Sequence, residues 1–301
     1  MENNIINKLP HVAGEYKSNE LLKKYTWLNV GGPADVMFFP KDKEDLQKFL
    51  LEKPADIDVF VLGSGSNLLV RDGGISGVVV NLKSSSFNKI KIADNIIQCG
   101  AGLKNSFLKK IMIENEISGL EFLCSIPGSL GGALRTNAGC FGSEISNVLQ
   151  SATVIDSAGR IFTVENKDFN FSYRKSDFPS DWIILEVCLK GIKSAKEQII
   201  STIETNAEYR KKNQPQNVRT AGSTFKNPKG YKAWELIKNS GAADFKVGGA
   251  SMSSKHCNFL INDGTATASD IEHLGNNIIN AVKDKYGVEL EWEIKIIGKE
   301  I

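Results

Sequence analysis

Ile126-Pro127-Gly128-Ser129-Leu130-Gly131-Gly132-Ala133-Leu134-Arg135-Thr136-Asn137-Ala138-Gly139-Cys140-Phe141-Gly142 is the stretch on which the fold turns. It holds five glycines, one proline and one asparagine, and Arg135 is its one charged residue. Glycine lets backbone approach a bound group closely and reach dihedrals closed to other residues. Such a loop sets several N–H donors against an anion or a flat polar ring. An irregular crossover through a core is the plainer reading of the same composition.

A second glycine loop favours ligand binding. Val59-Phe60-Val61-Leu62 reads as a short buried strand running into Gly63-Ser64-Gly65-Ser66-Asn67, with Leu68-Leu69-Val70 following. Strand, tight glycine turn, strand makes a phosphate cradle. The dinucleotide fingerprint would need its third glycine at Leu68 and a helix after it. No Gly-Lys-Ser/Thr closes a Walker loop. Together the two loops predict an extended dinucleotide lying between two lobes.

The 301 residues suffice for two or three compact units. Basic and acidic side chains number 37 and 35, so the net charge is only +2. That argues against a dedicated nucleic-acid binder but allows a local basic pocket for an anionic ligand. No apolar run nears the roughly 20 residues that span a bilayer, so no membrane partner is expected. Met1-Glu2-Asn3-Asn4 lacks the basic region and apolar core of a signal peptide. Five cysteines without a Cys-x-x-Cys fit reduced thiols in a cytoplasmic protein. Cys124 and Cys140, flanking the long loop, read as small buried hydrophobes. His11, His256 and His273 are scattered without ligand spacing, so no metal is expected. No obligate protein partner is inferred.

The pattern divides into three lobes, at 1–82, 83–192 and 193–301. Residues 1–30 read as a leader carrying a helix, and Val36 to Phe39 as a strand ended by Pro40. Lys43 to Leu51 has the apolar spacing of one helix face (Leu46, Phe49, Leu50), and Gly77 to Leu82 is strand-like. In the second lobe, hairpins are expected around Asp94-Asn95 and Ser157-Ala158-Gly159-Arg160, with a helix from Leu103 to Glu114 and a strand from Trp182 to Leu189. Lys193 to Lys212 is a polar helix leading into the third lobe. There, helices are expected over Ala233 to Lys238 and Ala268 to Lys285, the latter capped by Gly287. A strand is expected over Asn258 to Ile261. Alternation from Glu289 to Ile297 predicts a last strand with Glu291, Glu293 and Lys295 on one face.

Ser223, in Ala221-Gly222-Ser223-Thr224, reads as a turn residue or as a proton donor. It has neither the context of a nucleophile elbow nor a histidine nearby to act as its base. Arg174, after Tyr173 in a turn-like run, is either a carboxylate grip with two parallel hydrogen bonds or half of a surface ion pair. Glu293 is an acid or charge anchor if buried, or one of three charges on a wet face. Lys226, Asn227 and Lys255-His256 would be solvated residues or donors for a phosphate.

These segments, taken in order, resemble the UDP-N-acetylenolpyruvoylglucosamine reductases, also called UDP-N-acetylmuramate dehydrogenases. The matching pieces are Asn29 to Ala34, Leu62 to Leu69, Gly119 to Phe122, Ile126 to Ala133 and Asn137-Ala138-Gly139. They continue with Tyr173 to Ser176, Ala221 to Pro228 and Ile294 to Gly298, and they cover nearly the whole chain. No inserted tyrosine-bearing loop is found, so the chain looks like the shorter subtype. Arg135 stands where many relatives carry an aromatic residue.

The resemblance implies an α+β fold: a two-lobed FAD-binding region of the vanillyl-alcohol-oxidase type and a C-terminal α+β substrate domain, whose last strand returns to the active site. FAD would be held non-covalently in the cleft of the first two lobes. Gly63, Ser64, Gly65, Ser66 and Asn67 would wrap its pyrophosphate. Pro127, Gly128, Ser129, Gly131, Gly132, Asn137, Ala138 and Gly139 would line the flavin. NADPH would reduce the flavin, which then passes hydride to the vinyl carbon of an enolpyruvyl UDP-sugar. The reaction belongs to peptidoglycan precursor synthesis. Ser223, Arg174 and Glu293 fall on the catalytic positions, with Ser223 as proton donor, and Tyr173, Lys226 and Asn227 would contact the substrate. Two rivals are an FAD oxidase or dehydrogenase acting on an alcohol or hydroxy acid, and a non-catalytic flavin or UDP-sugar sensor.

Overall fold

The computed structural model describes residues 5–301. Contacts gather them into two compact units. The first holds the described residues up to Ser18, with Val36–Ser64 and Gly77–Tyr209; the second holds Asn19–Asp35, Gly65–Ser76 and Arg210–Ile301. This grouping cuts across the three expected lobes, because long-range pairing ties 19–35 and 65–76 to the C-terminal residues. Lys295–Ile297 pairs in parallel with Leu68–Val70, and Asn262 Nδ2 donates to Leu28 O at 2.8 Å.

The first unit is built on a five-stranded antiparallel sheet, in the order Ile161–Glu165, Leu149–Ile155, Ile183–Lys190, Ile96–Gly100, Ile90–Ala93. Both expected hairpins form its outer pairs. Val187 and Leu189 are fully buried beside Ile97 and Cys99, and one apolar cluster runs from these strands to Val36, Phe38 and Phe49. The helix Lys43–Glu52 begins where the Asp42 side chain accepts the Asp45 N–H at 2.9 Å. It buries Leu46, Phe49 and Leu50.

Among the described residues the leader holds no α-helix, contrary to expectation, only 3-10 turns at Ile5–Lys8 and Leu22–Tyr25. After a 3-10 turn at Ile5–Lys8, Glu15–Leu21 is an edge strand of a four-stranded sheet, in the order Glu15–Leu21, Pro33–Phe39, Ile75–Val80, Val59–Val61. Pro10 and Gly14 interrupt a helix here. The Asp45 carboxylate takes the amides of Ala13, Gly14 and Lys41 at 2.7, 2.9 and 3.0 Å, and the Tyr16 ring lies 5.0 Å from Phe38. Tertiary contacts override local helical character.

In the second unit a three-stranded antiparallel sheet (Lys246–Val247, Ala250–Ser253, His256–Asn262) packs with the helices Ala233–Ser240 and Ala268–Tyr286. The long helix starts at a capping box between Thr267 and Asp270 and ends at Gly287, in the left-handed region at φ 66°. Asp72 adds a second cap, accepting the Ala268 and Ser269 amides at 3.0 and 2.9 Å. Ile271, Leu274, Ile278 and Val282 face the core.

The last strand is shorter than the alternation implied: only Lys295–Ile297 lies in a ladder. Upstream, Leu290 and Ile294 are buried and Trp292 sits against Gly275 of the long helix. The period-two signal records side-chain packing along extended backbone, with a single bridge between Trp292 and Phe225. Glu293 is half-buried, unlike its exposed neighbours Glu291 and Lys295.

Among the described residues no helix is long and apolar enough to cross a membrane. The five cysteines are free thiols. Among those same residues no group of three or more His, Cys, Asp or Glu could hold a metal ion.

Candidate active site

The first unit brings Gly63 of the short glycine loop against the long one. A Cβ on Gly63 or on Gly132 would meet only the Ser129 hydroxyl, at 3.0 and 3.5 Å. Both glycines are exposed and Ser129 is buried, so bare backbone flanks a sunken hydroxyl. Asn81 supports the short loop, donating to Leu62 O at 2.8 Å and Gly63 O at 3.2 Å.

The long loop is pinned to the segment 101–105. Gly131 N donates to Ala101 O, Leu130 N to Leu103 O, and Asn105 N to Gly128 O, at 2.9, 2.9 and 3.0 Å. A Cβ on Gly131 would fall 2.9 Å from the Ala101 Cβ, so glycine is needed for this approach. Asn105 is 1% exposed and gives its carboxamide N–H to Ile126 O at 3.0 Å, while its Oδ1 has no partner among the described residues. Pro127 and Gly128 are half-buried between these anchors. Farther along, Asn137 is fully buried at φ 44°. Ala138 is hydrogen-bonded through Ala133 O and the Ile145 amide, and Gly139 pairs with Glu144.

Arg174 and Tyr173 form the turn of a small hairpin, Phe171–Ser172 with Lys175–Ser176. Arg174 has φ 58°, a conformation that costs a residue with a side chain roughly 1–3 kcal/mol and persists only where its surroundings impose it. Those surroundings are specific. Asn137 Nδ2 donates to Ser172 O at 3.0 Å, and Ser176 Oγ donates to Arg135 O at 2.8 Å. At the neck, the Asp177 carboxylate accepts the Asn170 amide and carboxamide at 2.9 and 2.6 Å, bonds that hold its carboxyl below the usual carboxylate range. The hairpin is thereby fastened to the loop that contains Asn137.

The second unit brings Ser223, Glu293 and Asn67 together. Glu293 N donates to Thr224 O at 2.8 Å, and Asn67 Nδ2 donates to Glu293 O at 3.1 Å. Ser223 is half-buried and bridges to Phe259 of the strand His256–Asn262. Gly65 must be glycine: its φ is 63°, and a Cβ would lie 1.8 Å from Tyr25 O. Ser64 closes the part of this loop that belongs to the first unit, and Ser66 and Asn67 continue it in the second.

Lys226 is paired with Glu291 through its ammonium group, and its amide donates to Glu291 O at 2.9 Å. Asn227 Oδ1 accepts the Ala233 amide at 3.0 Å at the start of the helix Ala233–Ser240. Lys255 Nζ donates to Lys211 O at 2.6 Å. His256 lies edge-on to Phe259, and burial pushes its pKa down.

Sequence reasoning missed Asn258, which takes both polar groups of Phe225: its Oδ1 accepts the amide at 3.0 Å and its Nδ2 donates to the carbonyl at 2.9 Å. It also missed Thr224, fully buried, whose hydroxyl accepts the Leu260 amide at 3.0 Å. An asparagine beginning the apolar run Phe259-Leu260-Ile261 was the available signal, since a buried carboxamide requires partners.

A family model described as the C-terminal domain of UDP-N-acetylenolpyruvoylglucosamine reductase matches residues 214–297, and an FAD binding domain model matches residues 34–165. The UDP-N-acetylenolpyruvoylglucosamine reductase of Rickettsia rickettsii (strain Sheila Smith) is 45% identical over 97% of this chain and 98% of its own. That of Rickettsia prowazekii (strain Madrid E) is 43% identical over 97% and 99%. The crystal structure of the enzyme of the same name from Thermus caldophilus superimposes with a TM-score of 0.81 at 33% identity, covering 95% of this chain and 99% of that one. On this agreement in sequence and fold, with both glycine loops inside the matched regions, the chain belongs to the UDP-N-acetylenolpyruvoylglucosamine reductase family and is an FAD-dependent oxidoreductase.

Proposed function

We propose that this member of the family reduces UDP-N-acetylglucosamine enolpyruvate to UDP-N-acetylmuramate with NADPH, in the cytoplasm, with Ser223, Arg174 and Glu293 carrying the chemistry. Residues 1–82 and 83–192 serve FAD, and 193–301 serve the UDP-sugar. The exposed backbone of Gly63 and Gly132 around the buried Ser129 hydroxyl fits a flat, polar, anionic cofactor. FAD, once bound and reduced by NADPH, would supply the hydride that adds to the terminal vinyl carbon.

The chain's residues handle the charge and the proton. Hydride addition to an unsaturated carboxylate develops enolate charge, which a fixed cation stabilises. Arg174, held in its strained turn, binds the carboxylate through its guanidinium. Ser223 Oγ gives the proton to the carbon bearing the carboxylate, so one hydride and one proton complete the reduction. Glu293 steadies the donor end of this transfer. Tyr173, Lys226 and Asn227 contact the sugar nucleotide.

The observation that carries this reading is the run of hydrogen bonds from Asn67 in the glycine loop to Glu293, and from Glu293 to the residue after Ser223. The test is Ser223→Ala, read anaerobically in two halves. We expect a yellow protein bleached by NADPH at the normal rate, with reoxidation by the enolpyruvyl sugar slowed about 10²- to 10⁴-fold. Normal reoxidation removes Ser223 from the chemistry.

A further inference from the structure

Arg135 ends the helix Leu130–Arg135, and its guanidinium is turned onto main chain. Nη1 donates to Phe178 O at 3.1 Å and Pro179 O at 2.8 Å, and Nη2 donates to Trp182 O. Its Cζ lies 5.6 Å from the centre of the Phe178 ring. Phe178 is stacked on Phe169 at 3.8 Å, just before the hairpin. The Arg135 carbonyl accepts the Ser176 hydroxyl at the hairpin's returning strand. One residue therefore grips both the hairpin and the segment leaving it. Its charge meets carbonyl oxygens rather than a hydrogen-bonded carboxylate among the described residues. A guanidinium is the side chain whose rigid planar fork can hold three such acceptors at once.

We propose that Arg135 is the positioning residue for Arg174: it holds the hairpin 171–176 so that the strained Arg174 is presented to the substrate carboxylate. The proposal rests on the reading of Arg174 given above. Arg135 touches neither substrate nor hydride, and its effect passes entirely through Arg174. Small misplacement of a charged group at a reacting centre costs about 10²-fold in rate.

The test is a double-mutant cycle on the FAD-loaded protein with Arg135→Met, Arg174→Met and the double variant. Arg135→Met should slow flavin reoxidation by the enolpyruvyl sugar about 10- to 100-fold while reduction by NADPH stays within about twofold. In the Arg174→Met background it should slow reoxidation no further, because two residues acting through one group do not add. Amide hydrogen exchange across 171–176 should quicken in the FAD-free protein. Multiplied effects in the double variant, or equal slowing of both half-reactions, overturn the proposal. Reoxidation at the normal rate in Arg174→Met alone sinks the reading of Arg174 itself, and the proposal with it. If Arg135→Met does not fold, Arg135→Lys, which keeps stem and charge but lacks the fork, is read in its place with the same expectations. Loss of FAD binding in both variants marks Arg135 as a general prop and equally overturns the proposal.

Discussion

Asn258 shows how a single side chain sets the donor segment. It satisfies the amide and the carbonyl of Phe225, two residues after Ser223, inside a buried strand. Asn258→Ala leaves both main-chain groups unpaired, at a cost of about 1–3 kcal/mol each. The expected outcome is a lower urea midpoint with an unchanged denaturant slope. An unchanged midpoint in Asn258→Ala contradicts this. Gly65 is the comparable case on the cofactor side. Gly65→Ala sets a Cβ against Tyr25 O in a left-handed conformation, whereas Gly230→Ala, at φ 81° with nothing within 4 Å, meets only conformational strain. The first should bind FAD far more weakly in a flavin-release titration, and the second should bind it normally.

At the scale of elements, the helix Ala268–Tyr286 is held at its start by charges from a distant part of the chain. Asp72 accepts its first two amides, and Arg71 clasps Glu272 at 2.7 and 2.9 Å. Asp72→Ala should lower stability by about 1 kcal/mol, the usual worth of a capping oxygen, read as a fall in Tm. The hydrogen bond from Arg71 holds the Glu272 pKa below its ordinary value. A lowered folded-state pKa gives stability that is full above the unfolded value of about 4.3 and fades as the pH drops through the folded value. Glu272→Gln should therefore flatten the acid limb of the stability curve below that point, and an identical limb in both proteins speaks against the pair.

These elements also mark what could be read in advance. The long helix was legible because Thr267, the apolar spacing of Ile271, Leu274 and Ile278, and Gly287 all act locally. The leader strand and the tail were misread because their conformation is decided by Asp45 and Gly275, far away in the chain. Both glycine loops were legible because close backbone approach excludes any Cβ, as at Gly65 and Gly131. The grip of Arg135 on Phe178, Pro179 and Trp182 left no trace in the sequence, since main-chain carbonyls carry no residue-specific signal.

At the scale of the whole molecule, the two compact units are each stitched by residues remote in sequence, as in the link from Asn67 to Glu293. Each also carries part of the proposed machinery, Arg174 with the long glycine loop in one and Ser223 with Glu293 in the other. A visible spectrum of the purified protein tests this account most directly. Oxidised flavin bands that bleach with NADPH, and return without oxygen when UDP-N-acetylglucosamine enolpyruvate is added, are the predicted result. A flavin that NADPH reduces but only oxygen restores, or a colourless protein that does not take up added FAD, contradicts it.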